Sequence, residues 1–208
     1  MLIPFETLFK KYQIKPDGIL HLGANEGQEA RIYRMLGVAR VVWVEAIPET
    51  FQKLHSYVHR LPRNVAIQAC VGDEDGKDVV FHVANNGGQS SSFLDFGTHA
   101  QEHPTVKYVR DIPMKTTRVD TLLRNQGINL AGKWLLNADL QGAELMALRG
   151  MGGLIRMFHW IYLEVNEKPL YAGCPLLPEI DSFLSVHGFR RVETEMTSHG
   201  WGDALFCR

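Results

Sequence analysis

What this chain lacks narrows its identity before any motif is read. No apolar run approaches the roughly 20 residues needed to cross a bilayer, so no membrane partner is expected. The opening Met1-Leu2-Ile3-Pro4-Phe5-Glu6 has no basic segment ahead of an apolar one, so no secretory signal is read there. Cysteine is scarce: Cys70, Cys174 and Cys207 are odd in number and lie far apart. They make no disulfide framework and no metal-ligand spacing, which points to reduced thiols in a cytoplasmic protein. Charge of one sign is not in surplus, since 22 Lys and Arg face 23 Asp and Glu. Without a basic excess to neutralise phosphates, nucleic acid is not an expected partner. Repeats, low-complexity linkers and composition shifts are missing too, so residues 1–208 read as one domain. Nothing in the composition bears on oligomeric state.

What is present is a run of short apolar segments separated by helical patterns. Residues 1–11 read as a helix within a lead-in over 1–17, with Leu2, Phe5, Leu8 and Phe9 on one face. Buried strands are expected at 18–22, 41–44 and 65–71, with helices from the glycine loop to Leu36 and over 48–59. Strand, helix, strand, helix, strand is the pattern of a parallel sheet, and the unbroken Val41-Val42-Trp43-Val44 suits a strand covered on both faces. An alternating strand follows at 78–84 and a polar loop at 85–98, then an extended stretch at 115–119 and a helix at 120–125. The buried pattern resumes at 134–138 and 159–165, with helices expected over 141–149 and 178–187. Segments 189–195 and 201–207 read as a closing antiparallel hairpin joined through Thr197-Ser198-His199-Gly200.

Two motifs carry chemistry at the carboxyl ends of the first strands. Gly23-Ala24-Asn25-Glu26-Gly27 gives a tight turn where backbone can approach a ligand, ahead of a helix whose N–H groups would face it. Its spacing is not Gly-x-Gly-x-x-Gly, which disfavours a dinucleotide pyrophosphate and so a nicotinamide-dependent oxidoreductase. Glu45 stands about twenty residues on, at the end of the second strand, where a carboxylate can accept from the ribose hydroxyls of an adenosine cofactor. Asp73, just past the third strand, is positioned to reach an adenine amino group, against the plainer reading of a turn residue.

These segments resemble the FkbM-like methyltransferases. The resemblance is carried by residues 20–28, 44–48, 86–92, 117–122, 137–144 and 163–165, above all by Asp139-Leu140-Gln141-Gly142-Ala143-Glu144. It implies an α/β, Rossmann-like class I methyltransferase sheet, mostly parallel, with the antiparallel hairpin last and a strand and loop region inserted in mid-chain. It also implies S-adenosylmethionine as cofactor and oxygen methylation of a carbohydrate or small-molecule acceptor. The residues it assigns to the cofactor are Gly23, Ala24, Asn25, Gly27, Glu45, Ala46, Asp73 and Asp139. Three positions depart from the family pattern: His21 stands for an acid, Ala46 for a proline and Asn137 for a lysine.

An acceptor hydroxyl is a poor nucleophile while protonated, so a carboxylate near the reacting atoms is sought. Asp139 and Glu164, each at the end of a parallel strand, are the catalytic candidates, with Asp139 read equally as base or as anchor. Glu144 is read as structural, near the start of a helix. Residues 85–115 read as a lid and acceptor region, with Ser91, Ser92 and His103 touching the acceptor. No metal site is expected, since His55 and His59 lack a third ligand. A non-catalytic adenosine-binding domain of the same fold is the alternative to an enzyme.

Overall fold

Three apolar pentapeptides make the centre of the sheet. In the computed structural model, which describes residues 2–208, β1 (Gly18–Leu22), β2 (Val41–Glu45) and β7 (Trp134–Ala138) are buried at all five positions. They pair in parallel, with β1 between β2 and β7. The seven-stranded sheet runs β3-β2-β1-β7-β8-β10-β9, where β3 is Asn64–Gln68, β8 Phe158–Asn166, β9 Arg190–Met196 and β10 Trp201–Cys207. The first five of these are parallel; β10 lies antiparallel to both β8 and β9. The expected C-terminal hairpin is therefore present, with its second strand as the inner one.

Strand alternation splits the core into two layers. Leu20, Leu22, Val42, Val44 and Leu136 pack on one face with α5 (Val119–Asn125), α6 (Glu144–Gly150) and α7 (Leu177–Val186). Ile19, Trp43, Leu135 and Tyr162 pack on the other, with α1 (Phe5–Lys11), α2 (Ala30–Met35) and α3 (Pro48–Val58). Met1, placed in the first helix by its sequence pattern, lies outside the described residues. Among the described residues no helix is long and apolar enough to cross a membrane.

Four expectations change. The strand read over 65–71 is two: after Ala69, whose N–H still bonds Glu45 O, the chain enters a second sheet as β4 (Cys70–Gly72). There β6 (Tyr108–Arg118) joins β4 in parallel and β5 (Asp78–Ala84) antiparallel. The last part of the region read as a lid over 85–115, residues 108–115, is therefore strand β6, whose alternation of half-buried and exposed positions is clear only over 112–116. The helix read from the glycine loop begins only at Ala30, after a pair of turns. The helix read from Gln141 begins at Glu144, because Gln141 (φ 52°) and Gly142 (φ 97°) take left-handed backbone.

Candidate functional site

The sheet order reverses direction between β1 and β7, and ligands in open α/β sheets settle at the carboxyl ends beside such a point. A cavity of about 410 Å³ lies there, lined by residues 23–25, 45–47, 69–71, 139–141 and parts of the 86–91 segment. The strand ends are drawn tightly together. Gly23 N and Ala24 N both donate to Val44 O, and Asp139 N donates to Leu22 O. Gly23 sits at φ 74°, and a Cβ on it would lie 1.9 Å from the Asp139 carbonyl oxygen. Only glycine allows that approach.

Glu45 closes the β2 side of the cavity. It is 6% exposed, and its two oxygens accept from Asn25 N at 2.9 Å and Ile47 N at 2.8 Å. The carboxylate thus fastens the glycine loop to the start of α3, and each oxygen keeps a lone pair for a ligand. Burial raises its pKa, partly offset by those two bonds. Glu29, ahead of α2, also lines the cavity, and burial raises it as well.

A second group of carboxylates gathers at the β7–β8 side. Asp139, Glu144 and Glu164 each bring an oxygen within 4.8 Å of the others. Burial drives the Asp139 carboxyl up to about 6 and the Glu144 carboxyl up to about 7. Glu164 lies well above the usual carboxylate range, through burial and then the repulsion of Asp139. Gln141 ties this group together: its Nε2 donates to Asp139 Oδ1 at 2.5 Å and to Glu164 Oε2 at 3.0 Å. Its Oε1 accepts from the Tyr171 hydroxyl at 2.5 Å. Asp203 of β10 lines the same side, its carboxylate accepting from Tyr162 OH at 2.6 Å. Among the described residues, none that lines the cavity is Lys or Arg.

At the cavity floor, which both help to line, His21 and Asn137 face one another across β1 and β7. Asn137 Nδ2 donates to His21 Nε2 at 3.1 Å and to Tyr33 OH at 2.8 Å, which leaves the imidazole proton on Nδ1, 3.2 Å from the Tyr33 oxygen. The two departures thus fall on paired positions: where the family pattern has an acid and a lysine, a neutral bonded pair stands. Burial lowers the His21 pKa to about 3. An unfolded histidine titrates near 6.5, so below that pH the unfolded chain takes up a proton that the folded one refuses. Stability is expected to fall by about 1.4 kcal/mol per pH unit on this account as pH drops from about 6.5 towards 3. Urea midpoints of the wild type and His21→Gln from pH 7 to 4.5 check this; parallel pH profiles for the two would count against it.

The remaining expected site residues divide. Ala24, Asn25, Ala46, Ser91 and His103 line the cavity. The Ser91 hydroxyl accepts from Ala84 N and so holds its own segment first. Burial lowers the His103 pKa. Gly27, Asp73 and Ser92 do not line the cavity. A Cβ on Gly27 would strike Leu54 of α3 at 2.8 Å, so that glycine serves helix packing. Asp73 sits at a turn with its carbonyl bonded by Arg118, and Ser92 Oγ donates to Gln141 O. Residues missed by sequence reading are Gln141, Tyr171 and Asp203; only Asp203 carried a signal, as the single charge within the apolar strand 201–207.

The profile described as "Methyltransferase FkbM domain" matches residues 21–191. The chain is 27% identical to the 2-O-methyltransferase NoeI of Sinorhizobium fredii over 167 residues, covering 76% of this chain and 68% of NoeI. Among solved structures, it is similar to a Streptococcus pneumoniae protein assigned as a tRNA (m1A22) methyltransferase, at a TM-score of 0.51 and 10% identity. That match covers 100% of this chain and 70% of the other. An uncharacterized protein of Listeria monocytogenes serotype 4b matches at 0.50 and 7% identity, covering 100% and 68%. At such identities the structural likeness speaks for the fold alone.

Proposed function

Since the chain belongs to the FkbM-domain methyltransferases, a family that uses S-adenosylmethionine, we propose that it methylates a hydroxyl oxygen of a carbohydrate or other small acceptor. The observation that carries this reading is the charge of the cavity. It holds Glu29, Glu45, Asp139, Glu164 and Asp203 and, among the described residues, no Lys or Arg. Such a lining suits a cationic cofactor and repels a pyrophosphate, which argues against a nicotinamide dinucleotide. The same repulsion argues against a polynucleotide acceptor. The volume of about 410 Å³ is in keeping with a small-molecule site. The 2-O-methyltransferase named among the relatives supports oxygen as the acceptor atom.

Within this reading S-adenosylmethionine, when bound, supplies an electrophilic methyl group. Glu45 would hold its ribose hydroxyls, while the bonds it accepts from Asn25 N and Ile47 N keep the loop in place. Ala46, Ile47, Cys70 and Val71 form an apolar wall for the base. Asp139 accepts the proton of the acceptor hydroxyl, and Glu164 and His103 bond the rest of the acceptor. Much of the rate would then come from the positioning of the acceptor hydroxyl by these residues. The segment over residues 85–98 closes the acceptor side, with Ser90 bonded to Asn86 and His99.

The test is transfer of labelled methyl from S-adenosylmethionine to a crude glycan and metabolite pool. The expected product carries label that survives mild alkali, as a methyl ether does. Label released by alkali, as from an ester, or found on nitrogen would overturn the assignment to a hydroxyl. No transfer, with tight cofactor binding in calorimetry, would favour the non-catalytic alternative.

A further inference from the structure

Asp139, Glu144 and Glu164 come from three different elements: the end of β7, the first turn of α6 and strand β8. The crossing of the chain through Gln141 and Gly142 brings an oxygen of each within 4.8 Å of the others. Three carboxyls in one place repel one another and lose hydration, which is relieved either by protonation, the direction in which their pKa values are raised, or by a positive group held between them. Among the described residues, no Lys or Arg lines the cavity to supply it.

A second observation points to what is wanted. Glu144 is 1% exposed, and its Oε1 accepts from Leu140 N at 2.7 Å and Gly142 N at 3.3 Å. Its Oε2 is buried without any hydrogen-bond partner. Buried polar atoms are almost always satisfied, and an anionic oxygen left bare in the interior is costly. We propose that Asp139, Glu144 and Glu164 bind one hard divalent cation, Mg²⁺ or Mn²⁺, at the edge of the cavity, which Asp139 and Glu164 line and behind which Glu144 lies.

The chemistry of the donors selects the ion. All are carboxylate oxygens, with no thiol or imidazole among them, which suits Mg²⁺ or Mn²⁺ rather than Zn²⁺. Gln141 completes the set. Its Nε2 lies between Asp139 and Glu164 as a neutral substitute for positive charge. A half-turn of the amide exchanges Nε2 for Oε1, a further oxygen donor. The Tyr171 hydroxyl that now donates to Oε1 can instead accept from Nε2. Either orientation of the amide is therefore satisfied, one with the cation and one without.

Binding of the cation does not depend on the proposed reaction; a role for it in lowering the pKa of an acceptor hydroxyl does. The test therefore uses the full chain, stripped with a chelator, with neither cofactor nor acceptor present. Mn²⁺ is titrated in and the free ion followed by its electron paramagnetic resonance signal. One saturable site per chain is expected, displaced by Mg²⁺ and kept at saturating S-adenosylmethionine. Asp139→Asn and Glu164→Gln are each expected to weaken it roughly tenfold or more, while Glu45→Gln, on the β2 side, leaves it unchanged. Circular dichroism identifies any variant that has not folded, and the wild-type titration stands without the variants. Absence of a saturable site, or wild-type affinity in folded Asp139→Asn and Glu164→Gln, would overturn the proposal. So would competitive loss of Mn²⁺ on adding S-adenosylmethionine, which would assign the carboxylates to the cofactor's ammonium group. Methyl transfer that persists in chelator would leave the proposed function standing and overturn the cation's role in it.

Discussion

Asp139→Asn is expected to lower kcat by roughly a hundredfold or more, the usual contribution of a positioned proton acceptor, while the affinity for S-adenosylmethionine changes by less than about threefold. The substitution is close to isosteric and keeps an Oδ1 to accept from Gln141 Nε2. What it removes is one negative charge from a group that includes Glu144, Glu164 and Asp203. Burial of these side chains is the largest cause of the raised pKa values at Asp139, Glu144 and Glu164. Taking one charge out relieves the others, so the melting temperature is expected to stay or rise and lost turnover will not reflect lost fold. Single-turnover rates and calorimetry on the same preparation give the two numbers. If affinity falls as far as turnover, Asp139 anchors the cofactor and does not take the proton.

Glu45→Ala is expected to act on the other quantity, weakening S-adenosylmethionine binding by roughly a hundredfold, or about 2.7 kcal/mol. Two losses combine in that figure. The ribose hydroxyls lose their acceptor, and Asn25 N and Ile47 N lose theirs, each unsatisfied group costing about 1–3 kcal/mol. Glu45→Gln separates the two, since its remaining oxygen still accepts from one of those N–H groups. The glutamine variant is expected to bind between the wild type and the alanine variant, with a melting temperature nearer the wild type. Calorimetric titration decides; wild-type affinity in Glu45→Ala would remove Glu45 from the cofactor site.

The central strands were legible because their positions are apolar on both faces, as in Ile19-Leu20 and Val41-Val42-Trp43-Val44. Strand β6 was not, because Arg110 and Asp111 interrupt its apolar residues and Val109, one of the few, stands 64% exposed. Helix starts were read too early at Gln28 and Gln141 for a common reason. Each loop contains left-handed residues, Asn25 and Gly27 in one, Gln141 and Gly142 in the other, that turn the chain before helix can begin. At the site, Glu45 and Asp139 were legible from their places at strand ends. Gln141 was not, since nothing local announces that a glutamine side chain will bridge carboxylates 2 and 23 residues away. Glu144 read as a structural carboxylate, and its Oε1 does cap the turn at 140–142; its proximity to Glu164 depends on how α6 meets β8.

Amino-acid order alone determined the parallel core, the glycine turn after β1 and the acids at the strand ends, because each of these depends on residues a few positions apart. Only the tertiary structure decided that His21 and Asn137 are one pair, that Asp73 and Ser92 lie off the cavity, and that three carboxylates come together at its edge. Those outcomes depend on the register of neighbouring strands and on which loops cross their ends, and both are settled by packing between segments distant in the chain.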